Sequence, residues 1–341
     1  MATIQQVVFA TDPAEDSVFH YDRGLKLTRA DLAIDFQRRQ ARGFISHAHS
    51  DHMGRHELAL CTPETAKLYW HRLGGKRAVL DLPYRQPREF GGLRLTTYPA
   101  GHCLGSAMLL ADDGESSLLY TGDFKLTAPL TCEPAELPHA DTLVIESTYG
   151  RPDYRLPPRD SAINQLLEII RETFRAGLTP VIHAYALGKA QEVTRILTLA
   201  GFPVLQHADT FAISQIYREC GVDLGDVTPY LGRPTPGHVV VTPPFQHRAR
   251  RTTGLKQTVT IAVTGWAIDA STKYRQGVDH AVPISDHADY DELFEAVERV
   301  GAKKILCTHG PESFVDRLRE AGFPAFRLGA QQQMRLFDGS A

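Results

Sequence analysis

The segment Ser46-His47-Ala48-His49-Ser50-Asp51-His52 releases three histidines and one aspartate within six residues, directly after the apolar run that contains Phe44 and Ile45. Imidazole nitrogen and carboxylate oxygen are donors that suit Zn²⁺, Mn²⁺ or Fe²⁺, and alternate positions leaving a strand aim His47 and His49 at one ion. Asp51 and His52, on the turn beyond, reach toward a second. Further on, Pro99-Ala100-Gly101-His102-Cys103-Leu104-Gly105-Ser106 sets a histidine between glycines after a strand, and Tyr120-Thr121-Gly122-Asp123-Phe124 does the same with an aspartate. Each alone reads as a turn. Beside the first cluster they supply what it lacks, a third nitrogen from His102 and a carboxylate, Asp123, able to bridge two ions. A pair of ions about 3.5–4 Å apart activates a water and stabilises the charge that builds on a phosphodiester. The expected chemistry is hydrolysis assisted by two divalent metal ions, Zn²⁺ or Mn²⁺.

Such convergence needs strands that end together. The first half of the chain reads as short apolar strands: VVFA at 7–10, LAIDF at 32–36, FISH at 44–47, LRLTTYPA at 93–100, SAMLLA at 106–111, SLLYTGDF at 117–124 and DTLVIEST at 141–148. The stretch at 63–75 has helical spacing and a Gly-Gly stop. After residue 150 strands and helices alternate: helices at 161–177, 188–201 and 209–221, and strands at 179–186, 203–208, 238–243 and 258–265. That alternation predicts a parallel α/β layer. A helix at 289–301, a strand at 303–310 and a helix at 311–322 close the chain. The Pro- and Arg-rich stretches at 151–160 and 242–254 mark the boundaries, dividing the chain into 1–155, an insert at 156–255, and a return segment at 256–341.

With 341 residues, 43% of them hydrophobic and 23% charged, the chain has the composition of a globular protein large enough for two domains or one with a large insert. No apolar run is long enough to cross a bilayer, and the first residues lack the pattern of an export signal, so a cytoplasmic location without a membrane partner is expected. Five scattered cysteines form no C-x-x-C pair and are read as reduced thiols. A net charge of −3 gives no global attraction to polyanions. Metal ions would supply that charge locally.

The pattern H-x-H-x-D-H, then G-H, T-G-D and a late histidine, resembles the metallo-β-lactamase superfamily, and within it the β-CASP nuclease branch. The segment TGWA at 264–267 and the compact length look most like the bacterial exonucleases associated with DNA ligases. The resemblance implies an α/β fold, an αββα sandwich with an inserted β-CASP α/β domain, the sandwich being formed by 1–155 and 256–341. It implies that His47, His49 and His102 hold one ion and Asp51, His52 and His309 the other, with Asp123 between them and Asp35 bracing the ligand loop. Glu146 in VIESTYG, His287 in ISDHADY and His309 in CTHG match the three further motifs of the branch. A histidine at the last of these is typical of the RNA-processing members.

Chemistry gives His287 a reason of its own. A departing alkoxide needs a proton, and an imidazole with a pKa near neutrality is suited to give one. Glu146 would orient that ring and keep it protonated, while Asp51 completes the catalytic set. For the substrate, Lys189 opens a helix in the branch's G-[KR]-A-Q-E segment, where free N–H groups favour phosphate, and Arg248, Arg250 and Lys273 belong to basic stretches suited to a nucleic-acid backbone. The remaining histidines, His183 among them, have no ligand spacing. The expected activity is 5′-to-3′ exonuclease action on single-stranded DNA in repair, with a DNA ligase and a helicase as functional partners. RNA processing by the same residues and hydrolysis of a small molecule by the same fold stay open as alternatives.

Overall fold

The computed structural model describes residues 18–244 and 257–329. It opens with a sheet in which successive strands lie side by side: β1 (Phe19–Tyr21), β2 (Leu25–Leu27), β3 (Leu32–Ile34), β4 (Arg42–Phe44), β5 (Leu58–Cys61) and β6 (Val79–Asp81). The first three strands pair antiparallel, and β3 to β6 run parallel. Helix α1 (Pro63–Leu73) makes the crossover between β5 and β6; the Thr62 hydroxyl accepts the Thr65 N–H at its start, and proline fills its first position.

A second sheet follows as an antiparallel meander of β7 (Arg88–Phe90), β8 (Leu93–Pro99), β9 (Ala107–Asp112) and β10 (Ser117–Tyr120), joined in parallel by β11 (Thr142–Glu146). The chain then leaves it. Helix α2 (Arg159–Arg175), β12 (Thr179–His183), α3 (Lys189–Leu199), β13 (Val204–Gln206), α4 (Ala208–Glu219), β14 (Val227–Pro229), β15 (Val239–Thr242), β16 (Thr258–Val263), α5 (Thr272–Gln276) and β17 (His280–Val282) build a third, wholly parallel sheet ordered β14-β13-β15-β12-β16-β17. Helix α6 (Tyr290–Val300), β18 (Lys304–Thr308), α7 (Glu312–Glu320) and β19 (Ala325–Arg327) return to the second sheet, where β18 lies beside β11.

The layers follow from which faces are apolar. Phe44 and Leu60 of the first sheet meet Leu95, Leu109 and Val144 of the second. On the far side of the second sheet, Leu143, Ile145 and Ile305 pack against Leu293, Val297 and Phe314 of α6 and α7. Every residue of β11 is buried because both its faces are covered. With Leu68 and Tyr69 of α1 packed against Ala59 and Cys61 of β5, the arrangement is the expected αββα sandwich with an inserted α/β layer.

One expectation changes. The strands β16 and β17 pair within the insert's sheet, Ile182 opposite Ile261 and Val263 opposite Val282, so that layer continues past residue 255 to Val282. An apolar strand such as Thr258–Val263 finds its hydrogen-bonding partner in β12, although a composition break precedes it in sequence. The strand expected at 7–10 lies outside the described residues, as do Arg248 and Arg250. All five cysteines are free, and among the described residues no helix is long and apolar enough to cross a membrane.

The insert is welded to the sandwich. Ile45, Ala48 and Met53 share one apolar core with Leu187, Ala190 and Val193, and the hydroxyl oxygen of the fully buried Tyr217 of α4 accepts the Leu104 N–H across the seam at 3.1 Å. Tyr217→Phe strands that buried N–H, so chemical denaturation should register a loss of about 1–3 kcal/mol with metal content unchanged. A variant as stable as the parent would show that this bond contributes nothing to the seam.

Candidate metal centre

Strand direction explains why distant residues meet. The strands β8, β10, β11 and β18 all run the same way, so the segments after them emerge along one edge, beside the loop that follows β4. That edge carries His102, Asp123, Glu146, His309 and the 47–52 cluster, in the crevice beyond the carboxyl ends where α/β sheets place their ligands. Close backbone packing brings the loops together. Gly122, at φ 55°, sits where a Cβ would fall 2.8 Å from the Ser46 Cβ, and a Cβ on Gly310 would fall 2.0 Å from the Ser147 carbonyl. His309 adopts φ 55°, a left-handed conformation that a non-glycine residue keeps only when its surroundings impose it.

Donor atoms of His47, His49, His102 and Asp123 all lie within 4.8 Å of one another, and so do those of His52, Asp123 and His309. His47 Nε2 and His102 Nε2 stand 3.0 and 3.1 Å from His49 Nδ1. Asp123 Oδ2 lies 3.5 Å from His47 Nε2, 3.3 Å from His52 Nε2 and 4.0 Å from His102 Nε2, placing this carboxylate between the groups. Asp51 is set apart: its exposed carboxylate is 3.8 Å from His52 Nε2 but belongs to neither tight group.

The other ring nitrogens show what the centre is built to hold. Ser46 Oγ gives its proton to Asp35 Oδ2 at 2.6 Å and therefore accepts from His47 Nδ1 at 3.0 Å. His49 Nε2 donates to the Leu187 carbonyl at 3.1 Å, His102 Nδ1 to the Asp286 carbonyl at 2.9 Å, and His52 Nδ1 to Asp35 Oδ2 at 2.8 Å. Each ring thus turns a lone pair toward the neighbouring donors. Such outward hydrogen bonds are the usual support of metal-ligating histidines. Asp35 is held in turn by the Ser46 N–H at 2.8 Å and the Tyr120 hydroxyl at 2.8 Å, and it too has a left-handed backbone, φ 51°. These residues fit two divalent cations.

Electrostatics divides the histidines. Burial, reinforced by the neighbouring rings, holds His47 and His102 below the ordinary imidazole range and brings His49 down to about 4, so all three favour the neutral, ligating form. Burial also opposes a charge on His52, but the Asp123 and Asp35 carboxylates outweigh it and raise this group well above its ordinary value. Asp123, despite burial, is held well below the usual carboxylate range by His287 and His52.

His287 Nδ1 meets both oxygens of the buried Glu146 at 3.1 Å, leaving Nε2 for another partner. Burial opposes its charge, yet Glu146 and then Asp123 raise it to about 10. The Phe124 N–H at 2.9 Å and the Thr148 hydroxyl at 2.6 Å fix Glu146. The expectation for Lys189 as a phosphate contact is corrected: its buried ammonium pairs with Asp286 at 2.8 Å and donates to the Ile284 carbonyl at 3.0 Å, tying α3 to the segment before His287. Lys273 lies on α5 over the Tyr274 ring and is not among the residues that line the cleft.

These groups line a cleft of about 940 Å³ between sandwich and insert. Tyr149, Tyr185, Trp266 and Asp286 also line it, and sequence reasoning assigned none of them a role. Trp266 lay in the TGWA segment, Tyr149 in VIESTYG and Asp286 in ISDHADY, whereas Tyr185 lay in none of the quoted motifs.

Fold and donor set together define a centre suited to divalent metal ions. A profile described as the Zn-dependent metallo-hydrolase RNA specificity domain matches residues 279–327, which include His287 and His309. Over 319 residues, 93% of this chain, the sequence is 37% identical to a protein of Opitutus terrae named "Probable DNA ligase" and covers 31% of it. It is 33% identical over 177 residues, 45% of this chain, to an RNase J-like protein of Methanocaldococcus jannaschii, covering 42% of that protein. With transcription termination factor FttA of Pyrococcus abyssi it shares 40% identity over 124 residues, 35% of this chain and 19% of that protein. The chain thus spans less than half the length of each of these relatives. A crystal structure of a protein of unknown function from Enterococcus faecalis V583 superposes with a TM-score of 0.55 at 14% identity, covering 79% of this chain and 75% of that one, a likeness of fold. The chain belongs to the metallo-β-lactamase superfamily, in its β-CASP branch.

Metal content tests the geometry directly. Protein dialysed against Zn²⁺ should carry two ions by elemental analysis, Asp123→Asn should lose the most, and His102→Ala should weaken one site while sparing the other. Full occupancy in Asp123→Asn would remove that carboxylate from its bridging position.

Proposed function

We propose that this protein is a nuclease that hydrolyses phosphodiester bonds of DNA, acting as a 5′-to-3′ exonuclease on single strands in repair. The observation that carries the reading is the His287–Glu146 pair, set in the same cleft as two overlapping groups of metal donors. His47, His49, His52, His102, His309 and Asp123 would hold the divalent ions, Zn²⁺ or Mn²⁺, which would supply positive charge to a phosphoryl oxygen and lower the pKa of a nearby water. The protein's own part is proton transfer and orientation. Glu146 fixes the His287 ring through Nδ1 and favours its charged form, so that Nε2 delivers a proton to the departing ester oxygen.

The ligase-named relative, similar along 93% of this chain, supports DNA as the substrate and a working partnership with a DNA ligase. A second reading, RNA processing, is favoured by the RNA specificity profile across the segment of His287 and His309 and by the FttA and RNase J-like relatives. Matched single strands of DNA and RNA, labelled at either end, separate the two. Stepwise loss of DNA from the 5′ end supports the first reading, and products from RNA alone retire it.

His287→Ala should slow cleavage by on the order of 10²–10⁴ with bound metal unchanged. The pH dependence has a definite sign. Because the folded value of His287 is raised to about 10, the stability its charge provides is complete below about 6.5, the unfolded value, and is lost as pH rises toward 10. The protonated ring is the acid, so the rate falls on the alkaline side. Glu146→Gln removes the charge that raises His287 and should move that alkaline limb of kcat/KM to lower pH; an unmoved limb would detach Glu146 from the proton-transfer step.

A further inference from the structure

Among the described residues few large apolar side chains are exposed, and two of them, Tyr185 at 59% and Trp266 at 38%, open onto the catalytic cleft. Trp266 is unusually well anchored for an exposed ring. It lies in the short turn Gly265–Ile268, where the Thr264 hydroxyl accepts its N–H and the Thr272 hydroxyl donates to its carbonyl at 2.6 Å. The indole packs on Tyr149, centroids 4.7 Å apart at 56°, and meets Tyr154 at 5.2 Å and 89°. A Cβ on Gly265 would fall 2.4 Å from the Tyr149 hydroxyl, so a glycine is required for this packing. Tyr149 in turn stands edge-on to His287 at 6.1 Å. One tyrosine ring therefore separates Trp266 from the side chain read above as the proton donor.

We propose that Trp266 is a base-stacking platform, taking the face of the unpaired nucleobase on the leaving side of the scissile phosphate, with Tyr185 contributing a second aromatic surface in the same cleft. The assignment rests on the nuclease reading of the site. An open, rigidly held aromatic ring offers a face on which a flat partner can stack, and a nucleobase is the flat, apolar-faced part of a phosphodiester substrate. Every base offers such a face, so the platform reads no sequence. It does require an unstacked base, which a strand end supplies and the interior of a duplex does not. Rigid support from Tyr149 and Tyr154 means that the ring is ordered before the base arrives, which lowers the entropic cost of binding.

The chain has two tryptophans, and the other, Trp70, is partly buried with its indole N–H donating to the Arg77 carbonyl at 3.1 Å. The part of the emission that is lost in Trp266→Phe therefore reports Trp266, and what remains reports Trp70. In the His287→Ala protein, titration with a short oligothymidylate should quench emission saturably, whereas an abasic strand of equal length should not. In Trp266→Phe the quench should vanish. Trp266→Ala should weaken binding of base-bearing strands by roughly 5- to 100-fold, leave abasic strands unaffected, and be largely rescued by Trp266→Phe. Equal affinity of parent and Trp266→Ala for base-bearing strands, with both folded by denaturation and equal in metal content, overturns the platform and leaves the nuclease reading intact. Failure of the parent, loaded with Zn²⁺ or Mn²⁺, to cleave any DNA or RNA strand overturns the nuclease reading instead.

Discussion

A buried imidazole has two nitrogens to satisfy, and the placement of the second one governs this molecule. Ser46, Leu187, Asp286 and Asp35 each take the outward N–H of one histidine, so the remaining lone pairs face one another across 3.0–3.1 Å in the first group. No arrangement of protons serves three such acceptors and a carboxylate at once. A cation does, and the cost of desolvating it is met by charge already in place. Because the acceptors come from both sandwich and insert, the centre requires the whole architecture, and neither layer could orient these rings alone.

A single charge pattern then assigns different tasks to chemically identical side chains. His47, His49 and His102 lie where burial and mutual repulsion keep them neutral, whereas His287 sits on Glu146 and stays protonated. Asp123 reaches both populations, which places His287 and the cation-binding groups in one electrostatic unit. Perturbation of this kind, in opposite directions within one cleft, is characteristic of acid–base sites.

The longer elements were legible because their apolar period is unambiguous; β8, β11, α2 and α6 lie within a residue or two of their expected spans. Three-residue strands such as β1, β14 and β17 carry too little pattern to be seen. In the site, the density of His47 to His52 announced itself, while His102 and Asp123 gained meaning only beside it, and Glu146 with His287, 141 residues apart, emerged through motif resemblance. The Leu187 and Asp286 carbonyls could not be read at all, since a backbone oxygen has no letter. Lys189 misled for a physical reason: a lysine at a helix start looks like a phosphate contact, and only the fold reveals that Asp286 already occupies it. The insert's end was placed too early because the Arg-rich stretch falls in sequence between β15 and β16, which both pair with β12.

The continuous core shared by Ile45, Ala48 and Met53 with the insert's Leu187 and Val193 carries a mechanical implication. Layers joined by buried side chains cannot part like jaws without exposing that core to water. Among the described residues, the width of the cleft is therefore tied to that shared core, and widening it would mean wetting apolar side chains from both layers.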